Sequence, residues 1–200
     1  LAKKYGAAVI GLTLDQSGIP DTAEGRLAVA RQILHAAEVI GLQAHDVVID
    51  CLTLTVSAEQ KRAMETLKAL RLVRDELGLS TVLGVSNISF GLPSRPTLSA
   101  AFFAMALEAG LGAAIINPLE EKMMDAYRSA MVLLSADVRA EQYVAHYGGV
   151  SVKPAVSETV AAEMSIREKL AAAVIEGDDE GIVALVETAL AEGLAPLEIS

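Results

Sequence analysis

Polar side chains follow four apolar runs in the first 120 residues of the chain. Each run is rich in Val, Ile and Leu, as expected of a parallel strand that is covered on both faces. The carboxyl ends of parallel strands can gather at one edge of a sheet, so these polar groups can converge on one ligand. A carboxylate there only accepts hydrogen bonds, whereas an amide both donates and accepts them. The polar residues are Asp15, Asp50, Asn87 and Asn117.

The segment 84–96 is the most informative of these strand ends. An apolar strand runs there into a polar loop that contains Ser86, Asn87 and Arg95. Such a loop can also be a plain turn, in which Asn and Gly supply unusual backbone angles and Arg95 is solvated. The residue types alone leave open whether this loop binds a ligand or only connects two elements.

Helical stretches alternate with the four apolar runs, which predicts successive βα units. The strands are predicted at residues 7–14, 47–54, 81–85 and 113–116, and the helices at about 22–40, 57–77, 97–109 and 120–134. Capping residues support these bounds. They are Asp21 or Thr22, Ser57 and Thr97 at the helix starts, and Gly41, Gly78 and Gly110 at the ends.

A repeat of βα units forms either an open doubly wound sheet or a barrel. Polar residues at all four strand ends favour the barrel, because an open sheet gathers its ligand-binding groups at one switch point. A complete (β/α)8 barrel needs roughly 250 residues. We therefore predict an α/β fold that comprises the second half of a TIM barrel. We expect the other half upstream of Leu1, which is not an initiator Met.

The character of the sequence changes after the fourth helix. Residues 135–157 mix polar residues with glycine and proline, as in a linker. Two helical stretches follow at 158–176 and 180–192, separated by a turn that begins at Gly177. We predict a barrel segment at 1–134, a linker at 135–157 and an α-helical hairpin within 158–200, whose apolar stripe requires a further packing partner.

Composition excludes several classes of protein. Sixteen basic and twenty-six acidic residues give a net charge of −10, which disfavours a nucleic-acid partner. No apolar run approaches the roughly 20 residues of a membrane span, and the lone Cys51 suggests a cytoplasmic protein without intrachain disulfides. His35, His45 and His146 have no neighbouring ligands at metal-binding spacing, so no metal site is expected.

Residues 85–95, with the sequence VSNISFGLPSR, closely resemble a signature of methyltetrahydrofolate-binding domains. These domains occur in cobalamin-dependent methionine synthases and in methyltransferases that act on the corrinoid iron–sulfur protein. Residues 12–15, 48–50 and 110–118 match in the same order, so the resemblance covers about residues 1–134. It implies a barrel of the dihydropteroate-synthase-like type.

The C-terminal helices distinguish the two families. Residues 174–178 and 189–199 resemble the start of the helical cap that precedes a cobalamin-binding domain in methionine synthases. The stand-alone methyltransferase ends with its barrel. The resemblance therefore implies a methionine synthase segment, with cobalamin bound by a domain further downstream. An unrelated helical hairpin is the alternative.

The resemblance also implies roles for individual residues. Asp50 would accept paired hydrogen bonds from the pterin amino group and ring N–H. Asn87 would hydrogen-bond N5 before and after that nitrogen is protonated, and so act as the catalytic residue. Arg95 would contact the ligand or order its loop. Ser86 and Asn117 would line the pterin pocket or cap the following helix.

These roles imply transfer of a methyl group from 5-methyltetrahydrofolate to a cob(I)alamin cofactor. Two alternatives are a methyltransferase for another corrinoid protein and a non-catalytic pterin-binding scaffold. We expect the 200-residue chain alone to be inactive, because the family's other pterin ligands lie on the first barrel strands. The expected partners are a folate and a corrinoid domain or protein.

Overall fold

The structure is a computed structural model that describes residues 1–148, 165–176 and 181–194. The chain divides into two units, Leu1–Gly149 and Val150–Ser200, which we describe separately.

The first unit contains a parallel sheet that is built from the predicted apolar runs. Within residues 1–148 the sheet has four strands that follow one another in chain order, and every neighbouring pair is parallel. Three strands are shorter than predicted, because the ladder ends where the chain turns into the polar loops, and the third keeps its predicted length but lies one residue earlier. Their bounds are Val9–Leu12 (β1), Val47–Asp50 (β2), Ser80–Gly84 (β3) and Ala113–Ile115 (β4).

Helices connect the strands, as the sequence predicts. Short 3-10 helices also occur at Ala44–Asp46, Val85–Ser89 and Val138–Ala140. The α-helices of this unit are Ala2–Tyr5 (α1), Ala23–Val39 (α2), Lys61–Leu77 (α3), Arg95–Glu108 (α4), Glu121–Leu133 (α5) and Glu141–Tyr147 (α6).

Two predicted helix ends are confirmed. The Thr22 hydroxyl accepts a hydrogen bond from the Gly25 N–H at 3.2 Å, and Gly78 ends α3 with a φ of 64°. The start predicted at Ser57 is wrong, because its hydroxyl donates to the Phe90 carbonyl at 2.8 Å and α3 begins only at Lys61. Likewise α4 begins at Arg95, ahead of the predicted cap Thr97.

The helices cover one face of the sheet. Val47, Ile49 and Leu83 point into a buried core that they share with the helices. On the opposite face Ile10 and Ile115 remain 59% and 62% exposed. Right-handed crossovers between consecutive strands place all helices on one side, whereas a doubly wound sheet reverses its order and places them on both. The parallel α/β arrangement is confirmed, and its strand order is that of consecutive strands in a barrel.

The segment predicted as a linker begins with ordered structure. The Asp137 carboxylate accepts hydrogen bonds from the backbone N–H groups of Gln142 (3.1 Å) and Tyr143 (2.9 Å), and so fixes the first turn of α6. The rest of the predicted linker, from residue 149 onward, lies outside the described residues.

The second unit contains two described helices, Ile166–Glu176 (α7) and Gly181–Ala191 (α8), which contact each other. Ser165 and Glu168 form a capping box ahead of α7: the Ser165 N–H donates to the Glu168 carboxylate at 2.8 Å, and the Glu168 N–H donates to the Ser165 hydroxyl at 3.4 Å. The predicted start at 158 and the turn at Gly177 lie outside the described residues. Across all described ranges, no helix is long and apolar enough to cross a membrane.

The packing of α3 on the sheet can be tested at two positions of that helix. Leu70 is fully buried, whereas Met64 is 55% exposed. We expect Leu70→Ala to lower the free energy of unfolding by about 2–5 kcal/mol, since it removes buried apolar area and leaves a cavity. Met64→Ala, the control, should change it by less than about 0.5 kcal/mol. Equal effects of the two variants in urea denaturation would contradict this packing.

Candidate functional site

A cavity of about 500 Å³ lies at the carboxyl ends of β2, β3 and β4. Parallel register aligns these ends, since Asp50 pairs with Val82 and Gly84 with Ile115. Four of the five predicted site residues line the cavity. It is lined by Ile19, Asp50, Leu52, Thr53, Leu54, Gly84, Ser86, Asn87, Ile115, Ile116 and Asn117.

Asp50 is the last residue of β2 and is half-buried. The Leu52 N–H donates a hydrogen bond to its Oδ1 at 2.8 Å, and no residue in the described ranges donates to Oδ2. Burial raises the pKa of the Asp50 carboxyl, and the Leu52 hydrogen bond acts in the opposite direction. One carboxylate oxygen therefore remains available to accept hydrogen bonds from a ligand.

Asn87 lies on the 3-10 helix Val85–Ser89, directly after β3 and not in the strand itself. The residue is exposed at the cavity. A Cβ atom at Gly84 would lie 3.0 Å from Asn87 Nδ2, so a residue without a side chain at 84 leaves room for this amide. The Asn87 side chain makes no hydrogen bond within the described part of the chain, which leaves both its donor and its acceptor available.

Ser86 and Asn117 line the cavity and also have local structural roles. The Ser86 carbonyl accepts hydrogen bonds from Ser89 Oγ (3.1 Å) and Arg95 Nη2 (3.2 Å). Asn117 Oδ1 accepts one from the Leu119 N–H at 3.1 Å. The Asn117 side chain thus has an observed local role, whereas Ser86 contributes its backbone carbonyl and its side chain caps neither the 3-10 helix nor α4. Ligand contact by either residue remains a prediction.

Arg95 does not line this cavity. It lines an adjacent cavity of about 340 Å³, which shares Ser86 and Asn117 with the first. Besides its bond to Ser86, its Nε donates to Ser89 Oγ at 3.2 Å, and its guanidinium lies 4.3 Å from the centroid of the Phe90 ring. The guanidinium therefore orders the loop, which is one of the two roles that the sequence left open.

The loops after β2 and β3 are tied to each other. Both the Thr55 and Ser57 hydroxyls donate to the Phe90 carbonyl, at 2.7 and 2.8 Å. The Val56 N–H donates to the Ile88 carbonyl at 3.0 Å. Thr55 Oγ1 also lies 3.4 Å from the Ile88 carbonyl, so several hydrogen bonds join the cavity walls that carry Asp50 and Asn87.

Other polar residues singled out from the sequence lie apart from the site. Asp15 accepts a hydrogen bond from the Ser17 N–H at 2.7 Å, which accounts for it as a turn residue. Cys51 is fully buried, and burial raises the pKa of its thiol to about 12, so it is neutral at pH 7. Among the described residues, no group of three or more His, Cys, Asp or Glu side chains could hold a metal ion.

Sequence reasoning missed two residues that shape the site. Leu52 follows Asp50 closely with a φ of 61°, which L-residues rarely adopt. Arg26 of α2 lies fully buried beneath that turn. The sequence did contain a signal for Arg26, because this charged residue occurs among the apolar residues of the inner face of α2. Its partners are three backbone carbonyls and the Thr66 hydroxyl, which no sequence pattern reveals.

Comparisons with known proteins agree with this geometry. Residues 1–117 match the family of pterin-binding enzymes, and residues 166–200 match a B12-binding domain family. The first match covers more than half of the chain. The chain therefore belongs to the pterin-binding enzyme family.

The arrangement of the two matches is like that of cobalamin-dependent methionine synthases. Over 203 residues the chain is 33% identical to the methionine synthase of Mycobacterium leprae (strain TN), and this alignment covers 91% of the chain. Over 219 residues, covering the whole chain, it is 29% identical to that of Mycobacterium tuberculosis (strain ATCC 25618 / H37Rv). The chain spans only 17% and 18% of these relatives' lengths.

A shorter relative is similar to the first unit. The methylcorrinoid:tetrahydrofolate methyltransferase of Eubacterium limosum is 25% identical over 138 residues, which cover 68% of the chain and 50% of that relative. The B12-binding match at 166–200 includes both described helices of the second unit, and that these helices begin a cobalamin cap stays a prediction.

The raised pKa of Asp50 predicts a pH-dependent gain in stability for Asp50→Asn. The Asp50 carboxyl keeps its proton to higher pH in the native state than in the unfolded state. The free energy of unfolding therefore falls as pH rises from the pKa of the unfolded state to that of the native state, and it stays lower at pH 7. The amide carries no charge to desolvate. We therefore expect Asp50→Asn to melt above the wild type at pH 7 and level with it below the ordinary Asp range.

Asp75→Asn is the matched control for this measurement. Its hydrogen bond with Arg74 lowers the pKa of the exposed Asp75 carboxyl, so its replacement should lower the melting temperature slightly at pH 7. A lower melting temperature for Asp50→Asn at pH 7 would show that burial does not penalise the Asp50 charge.

Proposed function

We propose that the chain binds 5-methyltetrahydrofolate in the 500 Å³ cavity as part of a methyltransferase that passes the methyl group to a corrinoid. The observation that carries the proposal is that Asp50 and Asn87, an acceptor and an amide with free hydrogen-bonding groups, line one cavity of a pterin-binding family member. The cavity volume lies within the range of about 300–1,000 Å³ for small-molecule sites.

Asp50 binds the pterin in this proposal. Its unpartnered Oδ2 accepts from the exocyclic amino group or the adjacent ring N–H, and the Leu52 N–H holds Oδ1 in place. A ligand donor also compensates the desolvation of the carboxylate. Asp50 is therefore the main determinant of ring orientation.

Asn87 acts at N5, the nitrogen that carries the methyl group. Its carbonyl accepts a hydrogen bond from protonated N5, and its amino group donates one to the neutral amine that is left. Stabilising the protonated form makes tetrahydrofolate a better leaving group, so the N5–methyl bond breaks with its electron pair remaining on nitrogen. A reduced corrinoid supplies the nucleophile that accepts the methyl group.

The barrel is completed by further βα units in this proposal. The face of the sheet away from the helices carries exposed apolar residues, among them Ile10, Leu12 and Ile115, which would fill a barrel interior. The further units would also supply the remaining pterin contacts, so the chain alone would be inactive. We propose barrel residues at 1–134, a linker at 135–157 and the beginning of a helical cap at 158–200.

Methionine synthesis is the specific activity that we propose, in the cytoplasm. The order of the pterin-binding and B12-binding matches and the likeness to two methionine synthases support it. A methyltransferase serving another corrinoid protein is the alternative, which the likeness to the Eubacterium limosum protein favours. Assay of the complete protein with homocysteine as methyl acceptor distinguishes the two.

Replacement of Asn87 tests the catalytic role. In the complete protein we expect Asn87→Ala to slow methyl transfer to cob(I)alamin by about 100-fold, since it removes assistance to the leaving nitrogen. Affinity for methyltetrahydrofolate should fall far less. Gln32→Ala removes an amide from the exposed surface of α2 and should leave both quantities unchanged. An unaltered rate for Asn87→Ala would instead support a non-catalytic pterin-binding scaffold.

Replacement of Asp50 tests the binding role separately. Asp50→Asn keeps the shape of the side chain but exchanges one acceptor for a donor that faces the pterin donors. We expect the dissociation constant for methyltetrahydrofolate to rise by about 10-fold to 100-fold, measured by calorimetry. Binding that is unaffected in Asp50→Asn would overturn the assignment of this cavity to the pterin.

A further inference from the structure

Arg26 is a buried cation that lies beneath the candidate site. It is fully buried, and burial lowers the pKa of its guanidinium, which nevertheless stays protonated because the ordinary arginine pKa is so high. Its hydrogen-bond partners in the described ranges are three carbonyls and a hydroxyl, and none is a carboxylate. Burying a charge without a carboxylate partner costs free energy, so a buried arginine is expected to have a role that its contacts reveal.

Those contacts converge on the two residues that follow Asp50. Arg26 Nη1 donates to the Cys51 carbonyl at 3.0 Å and to the Leu52 carbonyl at 3.2 Å. The Thr66 hydroxyl accepts from the same atom at 2.7 Å, and that hydroxyl lies nearer the Arg62 carbonyl (3.0 Å) than the Leu52 carbonyl (3.3 Å). Arg26, which Thr66 helps to orient, therefore holds the two carbonyls that follow Asp50.

The conformation that Arg26 holds there is an unusual one. Leu52 has a φ of 61°, in the left-handed region that is unfavourable for an L-residue. In this conformation its N–H turns back to Asp50 Oδ1 at 2.8 Å. Strained backbone of this kind persists only where the surroundings fix it, and here the fixing group is Arg26, whose Nη1 is in turn bound by the Thr66 hydroxyl.

We propose that Arg26 is a positioning residue of the pterin site, acting through the Cys51 and Leu52 carbonyls to hold the turn that orients the Asp50 carboxylate. This inference rests on the proposed function. Arg26 also binds the Pro20 carbonyl through Nε at 3.0 Å, so its rigid fork ties the loop after β1 to the loop after β2. The single nitrogen of a lysine cannot span both loops.

The Arg26 guanidinium does not use all of its hydrogen-bond donors, since its Nη2 has no hydrogen-bond partner among the described residues. A purely structural role and a positioning role predict different effects when Arg26 is replaced. If Arg26 only stabilised the fold, its replacement would lower the melting temperature without altering the proton affinity of Asp50. If it positions Asp50, its replacement loosens the Leu52 hydrogen bond that favours the ionised carboxylate.

The pH dependence of ligand affinity can report this difference, because Asp50 is the one titratable side chain among the described residues that line the cavity. The neighbouring Cys51 thiol has a pKa of about 12 and stays neutral over the range of the measurement, and the Arg26 guanidinium stays protonated over that range. Protonation of the folate itself is common to every variant. Thr66→Val adds no titratable group, so a shift of its acid limb relative to the wild type belongs to Asp50, and the Arg26→Lys profile is read together with it because a buried lysine can titrate as well.

The experiment is titration calorimetry of the complete protein with 5-methyltetrahydrofolate between about pH 4 and pH 8. We expect Arg26→Lys to raise the dissociation constant at pH 7 by about 10-fold and to move the acid limb to higher pH, since the pKa of Asp50 rises when the Leu52 bond weakens. Thr66→Val, which removes the hydroxyl that accepts from Arg26 Nη1, should act in the same direction with a smaller shift, because the guanidinium is then less well oriented.

Thr81→Val is the matched control. Thr81 is also fully buried, but its hydroxyl joins the Gly110 carbonyl and the Gly112 N–H, each at 3.3 Å, near the start of β3. It should lower the melting temperature and leave the affinity profile of the wild type unchanged.

Superposition of the Arg26→Lys profile on the wild type would overturn the proposal. If Arg26→Lys does not fold, the Thr66→Val profile decides in the same way. Asp50→Asn distinguishes failure of the proposed function from failure of the role of Arg26. Unaltered binding in Asp50→Asn would overturn the proposed function. Lost binding in Asp50→Asn, together with unshifted profiles for Arg26→Lys and Thr66→Val, would overturn only the role of Arg26.

Discussion

Backbone carbonyls just beyond the strand ends have no partner in the sheet ladder and must accept hydrogen bonds from elsewhere. In this chain buried or half-buried side chains donate those bonds, and the geometry of the site depends on them. Thr13 donates to the Asp50 carbonyl, and Arg26 donates to the carbonyls of the next two residues. Arg95 donates to the Ser86 carbonyl in the loop after β3. Buried carbonyls without partners are costly, so these side chains fix the backbone from which Asp50 and Asn87 project.

The order of elements follows from the sequence more closely than their bounds do. Apolar runs and capping residues predict the parallel βα units because burial on both faces and helix capping are local demands that local residues satisfy. Helix starts were less predictable where a capping side chain serves a distant group. Ser57 is such a case, since its hydroxyl bonds Phe90 in another loop. The helix α6 was missed because Asp137 alone marks its start.

The residues at the edge of the cavity were predictable, because strand ends and a loop motif place polar types there. Asp50, Ser86, Asn87 and Asn117 come together at one cavity as the topology requires. The buried side chains that support these residues, above all Arg26, were not predictable from the sequence. Arg26 donates across 25 residues of chain to a carbonyl, and every residue type presents the same carbonyl.

The hydrogen bonds from Thr55, Val56 and Ser57 to the loop after β3 have a mechanical consequence. They join the two loops that follow β2 and β3, so we expect these two neighbouring walls of the cavity to move together as one unit. The spacing between the groups that would grip the ring and those that would serve its reacting nitrogen is then constant. Accommodation of ligands of differing bulk falls to the opposing loops, after β1 and β4, where Ile19 and Asn117 face the same opening.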